Sequence, residues 1–342
     1  MDVPAPSSGS GSRSRRGRGA QVLLVGLLLV GFWGVVRTLR PATPSLDGRP
    51  VEAWVAESIE RKPDAEERVL GAGAFAAPAV GAELVAREPL SSRFSRWILP
   101  HCPSVLRPHL PAIVDAEANR RVAASLISRL GTNALPALPY LFRALDDPSE
   151  YVRVPVAGLL GSLGTNALPA VSRLLEMAAE TNEFVAMNTL PVLGRLRANP
   201  QASVPILARQ LRSPDAGVRS AAAVAVSNYG TLAAGAAEGV RAMLEDPDPN
   251  LRGLALQAAG RIGVSDQGFV ASVTRALDDT ELPNQIFALQ ALGSMGTAAR
   301  PAVPRIVHAM RNNVGGLWRY GRVALLQIAP ETPEAREQLL EQ

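Results

Sequence analysis

The chain has 342 residues, of which 47% are hydrophobic and 4% are aromatic. This surplus of small aliphatic residues suits closely packed helices better than an aromatic-rich β-sandwich. The single cysteine, Cys102, excludes an intrachain disulfide and a zinc site built from several cysteines.

The net charge of +4 is unevenly distributed along the chain. Residues 1–49 hold seven arginines and two acids, whereas residues 50–342 hold 28 basic and 29 acidic residues. A nucleic-acid-binding domain carries its positive charge on the folded surface. Because the larger part of this chain is close to neutral, nucleic acid is not expected as a partner.

The N-terminus has the pattern of a membrane anchor. Residues 1–18 are rich in Pro, Gly, Ser and Arg and are predicted to be a disordered basic tail, whereas residues 19–36 are uncharged. Eighteen helical residues reach about 27 Å, close to a hydrocarbon core of roughly 30 Å. We therefore predict a single transmembrane helix over residues 19–36.

The flanking charges predict the orientation of this anchor. The positive-inside rule favours a cytoplasmic N-terminus, which places the rest of the chain on the far side, periplasmic or otherwise extracytoplasmic. A cleaved signal peptide is the alternative, in which case the chain is exported, although no small-x-small cleavage motif follows the apolar run.

Residues 37–64 are predicted to be a linker with a short amphipathic helix. The stretch "LDGRPVEAWVAESIE" (46–60) places Trp54 on that helix. We expect the helix to cap the N-terminal end of the following domain. The alternative, resting on a membrane surface, is disfavoured because its glutamates are repelled by anionic lipid.

Two motifs in the predicted divergent region 65–114 resemble functional sites. "GAGAFA" (71–76) matches a dinucleotide-binding fingerprint, but a helical pattern precedes it, so we predict a small-residue turn between helices. His101, Cys102 and His109 form a proline-rich cluster without a carboxylate at a helpful spacing. We expect an incidental cluster and no metal, cofactor or catalytic site.

The strongest signal is an internal repeat over residues 115–330. The phrase "LGTNALPA" occupies residues 130–137 and returns 33 positions later at 163–170. A unit reads as a helix, usually a glycine that accepts positive φ, a second apolar helix and a turn. The turns quoted from the sequence contain Asp or Pro, and residues 186–197 keep the phase but lack the glycine. The early Thr of the second helix can cap it, and Pro139 and Pro304 are predicted to kink their helices.

The repeat indicates the fold class. We predict an all-α, right-handed α-solenoid of stacked helix-turn-helix repeats behind the N-terminal transmembrane helix, with residues 331–342 forming a C-terminal capping helix.

"LGTNALPALPYLFRALDDPSEYVR" and "MLEDPDPNLRGLALQAAGRIG" resemble HEAT-like repeats, in particular the short bacterial, phycobilin-lyase type. The resemblance implies a ladder between units, in which a turn Asp faces an Arg six residues later. The pairs that fit are Asp147 with Arg153 and Asp246 with Arg252, and more weakly Ser213 with Arg219. By this spacing the ladder is broken at Glu180/Ala186 and at Asp279/Gln285.

Helical repeat arrays typically present extended binding surfaces, and no motif here supports an enzyme. Some enzymes of similar fold, such as deoxyhypusine hydroxylase, hold iron with His-Glu pairs, and this chain has none. We therefore expect a membrane-tethered, non-catalytic scaffold that binds another protein, with Trp318, Arg319 and Tyr320 as candidate contacts. Trp318 could instead cover the end of the array. The alternatives are a bilin-lyase-like or other small-molecule accessory protein, and a nucleic-acid-binding solenoid.

Overall fold

The computed structural model describes residues 45–102, 104–105, 107–312, 316–333 and 335. The predicted basic tail 1–18, the predicted anchor 19–36 and most of the predicted capping helix 331–342 lie outside these ranges. Within them, none of the helices has the length and apolar character needed to span a bilayer. The chain divides into two compact units, Met1–Ala53 and Trp54–Gln342.

The described part of the first unit contains a β-hairpin that the sequence analysis did not predict. Strand β1 (Ser45–Leu46) pairs antiparallel with β2 (Arg49–Pro50). Asp47 and Gly48 form the turn with φ of 53° and 74°. Positive φ at both central residues is typical of a type I′ turn, for which Asp-Gly is a preferred dipeptide. The Asp-Gly dipeptide was therefore the sequence signal from which this hairpin could have been predicted.

Helix α1 (Val51–Ile59) follows the hairpin and is the predicted amphipathic helix. The side chain of Trp54 is half-buried, and the guanidinium carbon of Arg68 lies 4.8 Å from its ring centroid. Trp54 therefore contacts the first helix of the stack that follows.

The second unit is a stack of helices joined by short turns. Its helices are α2 (Ala65–Ala72), α3 (Ala77–Leu84), α4 (Leu90–Ile98), α5 (Ala116–Leu130), α6 (Leu138–Ala144), α7 (Glu150–Ser162), α8 (Val171–Ala178), α9 (Glu183–Leu196), α10 (Pro200–Gln210), α11 (Ala216–Tyr229), α12 (Ala237–Met243), α13 (Pro249–Ala259), α14 (Gln267–Arg275), α15 (Leu282–Ser294), α16 (Val303–Asn312) and α17 (Trp318–Ile328).

From α5 onward the helices alternate between two layers. The odd-numbered helices α5 to α17 form the first layer, in which each contacts the next odd-numbered helix. The even-numbered helices form the second layer, and those from α8 to α14 contact one another in the same order. This arrangement is the stack of helix pairs predicted from the 33-residue period.

Small residues allow the first-layer helices to approach closely. Ala222 and Ala225 on α11 are fully buried, and a Cβ added to Gly194 on α9 would lie 2.8 Å from the Cα of Ala225. A larger residue at that contact would push the two backbones apart. The surplus of small residues in the sequence thus lies in part where neighbouring units meet.

The repeated phrase forms a seven-residue 3₁₀ segment at Gly131–Ala137 and Gly164–Ala170. Equivalent segments lie at Gly230–Ala236, which is kinked at Ala233, and at Gly296–Ala302. The leading glycines have φ between 55° and 59°, which confirms the predicted positive φ. At Gly131 the ψ of −127° is that of the first central residue of a type II′ turn.

In these four units the second helix therefore starts later than predicted. The Thr of the phrase lies inside the 3₁₀ segment and caps no helix. Pro139 and Pro304 are the second residues of α6 and α16, so the prediction that they kink these helices is wrong. Prolines inside helices occur instead at Pro155, Pro191 and Pro205.

The divergent region 65–114 is a repeat followed by an insertion. Gly73 precedes Pro78 by five residues, as Gly131 precedes Pro136, and Gly73 also has positive φ. Arg120 donates to the carbonyl of Ala86, 34 residues back (3.4 Å), whereas the equivalent contact of Arg153 reaches Asp147 only 6 residues back. Residues 87–114, including α4, are therefore inserted into the turn of the first repeat.

Candidate protein-interaction surface

The repeat units are joined by ion pairs between an arginine and a carboxylate of the next unit. In each pair the two residues lie 27 positions apart, with N–O distances of 2.6 to 2.9 Å. The pairs are Arg120–Asp147, Arg153–Glu180, Arg219–Asp246 and Arg252–Asp279. The ladder thus crosses the boundary between units.

The spacing of six residues reflects a different contact. Arg153 donates through Nη1 to the backbone carbonyl of Asp147 at 2.9 Å, and Arg219 and Arg252 make the equivalent bond to Ser213 and Asp246 at 2.9 and 3.0 Å. The prediction that Asp147 and Arg153 pair through their side chains is therefore corrected. Each arginine holds the backbone of its own turn and the carboxylate of the following one.

This geometry also corrects the predicted breaks in the ladder. Glu180 and Asp279 both accept from an arginine of the preceding unit, so neither marks a break. The missing charges are at Ala186 and Ser213, which are themselves 27 residues apart and line the same surface hollow. Gln285 and Asn312 are a second uncharged pair of positions with the same separation. Arginine and acid are therefore absent together in both places.

The turn carboxylates are shielded from water. The side chains of Asp147, Asp246 and Asp279 are 7%, 6% and 4% exposed. The hydrogen bond from Arg252 lowers the pKa of Asp279 below its ordinary value, because it stabilises the ionised carboxylate. These residues hold units together and are not available to a ligand.

The three candidate contacts near the C-terminal end begin helix α17. Arg319 and Tyr320 are exposed, whereas Trp318 is half-buried. Trp318 lies 33 residues after Gln285, at the position that the ladder arginines occupy in earlier units. Trp318 is therefore less exposed than its two neighbours.

A second group of interface-type residues was missed by the sequence analysis. Tyr151 on α7 and Phe184 on α9 are 51% and 38% exposed, and their ring centroids are 5.7 Å apart. The guanidinium carbon of Arg121 on α5 lies 4.7 Å from the Tyr151 centroid. The three side chains form a row across successive first-layer helices, which we call the aromatic row.

Polar contacts fix the position of Arg121 in this row. Arg121 forms an ion pair with Glu117, one helical turn earlier. Ser149 donates to the same Glu117 oxygen at 3.0 Å and accepts from Arg121 Nε at 3.4 Å. A guanidinium held in this way loses little further freedom when a partner binds.

The sequence carried a signal for the aromatic row, because its two aromatic residues occupy the same position in successive repeat units. Tyr151 and Phe184 are 33 residues apart, and the next two units carry Gly217 and Asn250 at that position. Aromatics at only two successive positions of a column indicate a local surface feature, because a packing requirement would recur in every unit.

The structure also describes the His/Cys cluster and the "GAGAFA" motif of the divergent region. His101 and His109 are exposed and Cys102 is buried. No cluster of three or more His, Cys, Asp or Glu side chains suited to a metal ion occurs among the residues described. Within "GAGAFA", α2 ends at Ala72 and a 3₁₀ turn, Gly73–Phe75, leads into α3, which is the predicted turn between helices.

Comparisons with known proteins bear on the fold. The sequence matches no protein-family model and no curated protein significantly. An engineered protein solved by a structural genomics consortium has a similar fold, with a TM-score of 0.53, 16% identity, and coverage of 85% of this chain and 87% of that one.

Two further solved structures match more loosely. A designed armadillo repeat protein in complex with a (KR)4 peptide has a TM-score of 0.46 and 15% identity, covering 55% of this chain and 98% of that one. The CpcE–CpcF complex of phycocyanin lyase from Nostoc has a TM-score of 0.35 and 22% identity, covering 79% and 98%. With its paired helices, glycine turns and arginine–acid ladder, the described part of the chain has the fold of a HEAT-like helical repeat protein.

Proposed function

We propose that this protein is a membrane-tethered, non-catalytic scaffold that binds another protein on the first-layer side of its helical stack. The observation that carries the proposal is the aromatic row of Arg121, Tyr151 and Phe184. Tyr, Phe and Arg are enriched at protein interfaces, where a few such anchors supply most of the binding free energy.

The arrangement of the row supports a protein partner. The side chains come from three successive units, so a ligand that contacts all of them must extend along the stack. A folded surface or a peptide segment of another protein has that length. The two rings also offer apolar area that water covers in the free protein, so its burial favours binding.

Arg319 and Tyr320 supply a second contact area in the proposal. Tyr320 and Val323 are exposed one turn apart on α17 and form a smaller apolar surface. A partner that reaches from the aromatic row to α17 would contact most of the first layer.

The tether rests on residues 19–36, the uncharged stretch between Arg18 and Arg37. Its length and composition suit a single membrane crossing, with the repeats on the extracytoplasmic side. The test is alkaline carbonate extraction of native membranes. We expect the chain to remain in the pellet with residues 19–36 intact, whereas release of a shortened chain would mean that the segment is a cleaved export signal.

Partner binding is tested by affinity purification of the full-length chain from gently solubilised native membranes, followed by mass spectrometry. The first variant carries Tyr151→Ala and Phe184→Ala, and the second carries Trp318→Ala and Tyr320→Ala. The matched control carries Leu168→Ala and Leu232→Ala, which remove similarly exposed apolar side chains from 3₁₀ segments.

We expect a stoichiometric protein with the wild type and the control, and a loss of about tenfold or more in the first variant, as for truncated interface anchors. Retention of the partner in the first variant would show that the partner binds a surface other than the aromatic row. Recovery of a pigment or another small molecule without any protein would contradict the scaffold and favour an accessory protein.

A further inference from the structure

The inserted segment 87–114 exposes an apolar helix face. Leu90, Phe94 and Trp97 follow one another at four- and three-residue intervals on α4, so they share one side of the helix. They are 79%, 53% and 68% exposed, and the rings of Phe94 and Trp97 are 6.2 Å apart. We call these three residues the α4 face.

The opposite side of α4 is polar and buried. Ser92 and Ser95 are at most 1% exposed. Ser92 donates to Glu88 at 2.9 Å and accepts from the backbone N–H of Val114 at 3.0 Å. These bonds tie the start of the insertion to its end and hold the apolar side outward, which reverses the usual orientation of an amphipathic helix in a soluble domain.

The charge of the insertion differs from that of its surroundings. It holds Arg87, Arg93, Arg96 and Arg107 but only one acid, Glu88, for a net charge of +3. The rest of residues 50–342 has a net charge of −4. Arg93 and Arg96 lie on α4 itself and are exposed, with Arg96 also paired to Glu88 at 3.0 Å.

We propose that the α4 face docks on an anionic phospholipid bilayer. A helix with Leu, Phe and Trp on one face and arginines beside them is the composition that inserts shallowly at the lipid headgroup level. Anionic headgroups complement the positive charge of the insertion, and the amphipathic rings of Trp side chains favour this interface.

The charge also argues against a second copy as the occupant. In a symmetric dimer both copies contribute the same patch, so Arg93 and Arg96 of both copies would be brought into one interface with like charge. This inference rests on the proposed function only in that the proposed tether brings the α4 face close to a membrane. An anchor ending at residue 36 leaves 53 residues before Leu90 and keeps the chain at a membrane surface.

The test uses the full-length chain with Cys102→Ala and Ser91→Cys, labelled with an environment-sensitive fluorophore. Ser91 is exposed at the edge of the α4 face and leaves its three apolar residues in place. The chain is reconstituted in nanodiscs of phosphatidylcholine alone, or of equal parts phosphatidylcholine and phosphatidylglycerol. The matched control is the label at Thr165→Cys, an exposed position in a repeat.

We expect a blue shift at position 91, with about twofold quenching by brominated lipid, only in the bilayer with phosphatidylglycerol. The label at position 165 should not respond. Leu90→Ser, Phe94→Ser and Trp97→Ser together should abolish the shift, and these exposed changes leave the fold intact. An unchanged emission at position 91 in both bilayers overturns the proposal, as does a shift that survives the triple change.

Two controls separate this proposal from others. A shift in detergent that grows with protein concentration would show self-association and overturn docking on lipid. If carbonate extraction shows that the chain is not integral, the labelled chain is added to preformed vesicles of the same two compositions. Cosedimentation with the anionic vesicles that the triple change abolishes supports the α4 face without the tether, and its absence refutes both.

Discussion

At the turn between α14 and α15, the carboxylate of Asp279 accepts two hydrogen bonds from Arg252, at 2.7 and 2.9 Å. Its side chain is almost fully buried, so an unpaired partner cannot be solvated freely. Removing one member of such a pair leaves the other charge buried without a counterion. The resulting loss of stability is larger than the net stability that the intact pair adds over a pair of apolar side chains. This explains why arginine and acid are missing together at Ala186 and Ser213.

We predict that Asp279→Asn lowers the free energy of unfolding by about 2 kcal/mol at neutral pH, because a charge-assisted pair becomes weaker and Arg252 loses its counterion. Asp278→Asn is the control, since that neighbour forms an exposed pair with Arg305 and should cost no more than about 1 kcal/mol. Urea denaturation measures both. Equal costs would show that burial of the ladder adds nothing.

The same pair should make stability depend on pH. The folded-state pKa of Asp279 lies below its ordinary value, so the contribution of the pair is complete above the ordinary pKa of 3.8 and is lost as the pH falls through the folded pKa. The difference in unfolding free energy between wild type and Asp279→Asn should therefore shrink in acid. A difference that stays constant across that range would contradict the assignment.

The sequence identified Asp147, Arg153, Arg219, Asp246 and Arg252 as ladder residues but not their partners, and the acids at 180 and 279 were taken for breaks. A turn acid has one arginine 6 residues later and another 27 residues earlier, and sequence spacing cannot rank the two. The choice depends on the side-chain direction at the start of each first-layer helix. The aromatic row escaped prediction for a similar reason, because exposure is decided by the neighbouring units.

Among the elements, the 3₁₀ segment was visible as a repeated phrase but not as a structure. A glycine followed by Thr and Pro also fits the start of a capped helix, and only the backbone geometry distinguishes them. The insertion was hidden because the 33-residue phase is lost before residue 115. The equal spacing of Gly73–Pro78 and Gly131–Pro136 was the signal that could have revealed it.

We predict that Gly131→Ala destabilises the protein by about 1 to 2 kcal/mol, because its positive φ is unfavourable for any residue with a Cβ. Gly158→Ala is the control. Both glycines have open space around an added Cβ, but Gly158 lies within helix α7. Alanine there should stabilise by roughly 0.5 to 1 kcal/mol. Thermal or urea unfolding compares the two, and changes of the same sign would refute the backbone explanation.

For the molecule as a whole, stability should be a sum of contacts between neighbouring units. The sequence predicted this stacking from its period, since neither helix of a unit can bury its apolar side alone. It could not predict which boundary is closest. The approach of α9 and α11 at Gly194 and Ala225 depends on how the two backbones cross.

We predict that Gly194→Ala destabilises by about 1 to 3 kcal/mol, because the backbone at Ala225 must move. Hydrogen exchange followed by mass spectrometry should show faster exchange in α9 and α11, with little change in α5 or α17. Gly158→Ala again serves as the control. Faster exchange throughout the stack would show that the destabilisation is not confined to the units next to the substitution.

The direction of the arginine–acid ladder has a consequence for how such a chain can lengthen. A 33-residue segment that carries both ladder residues, such as the one with Asp147 and Arg153, presents an arginine to the segment after it and an acid to the segment before it. If such a segment is duplicated, one arginine and one acid are gained together. The new junction then closes with an arginine–acid pair, so the array can lengthen by duplication of these segments without burying an unmatched charge.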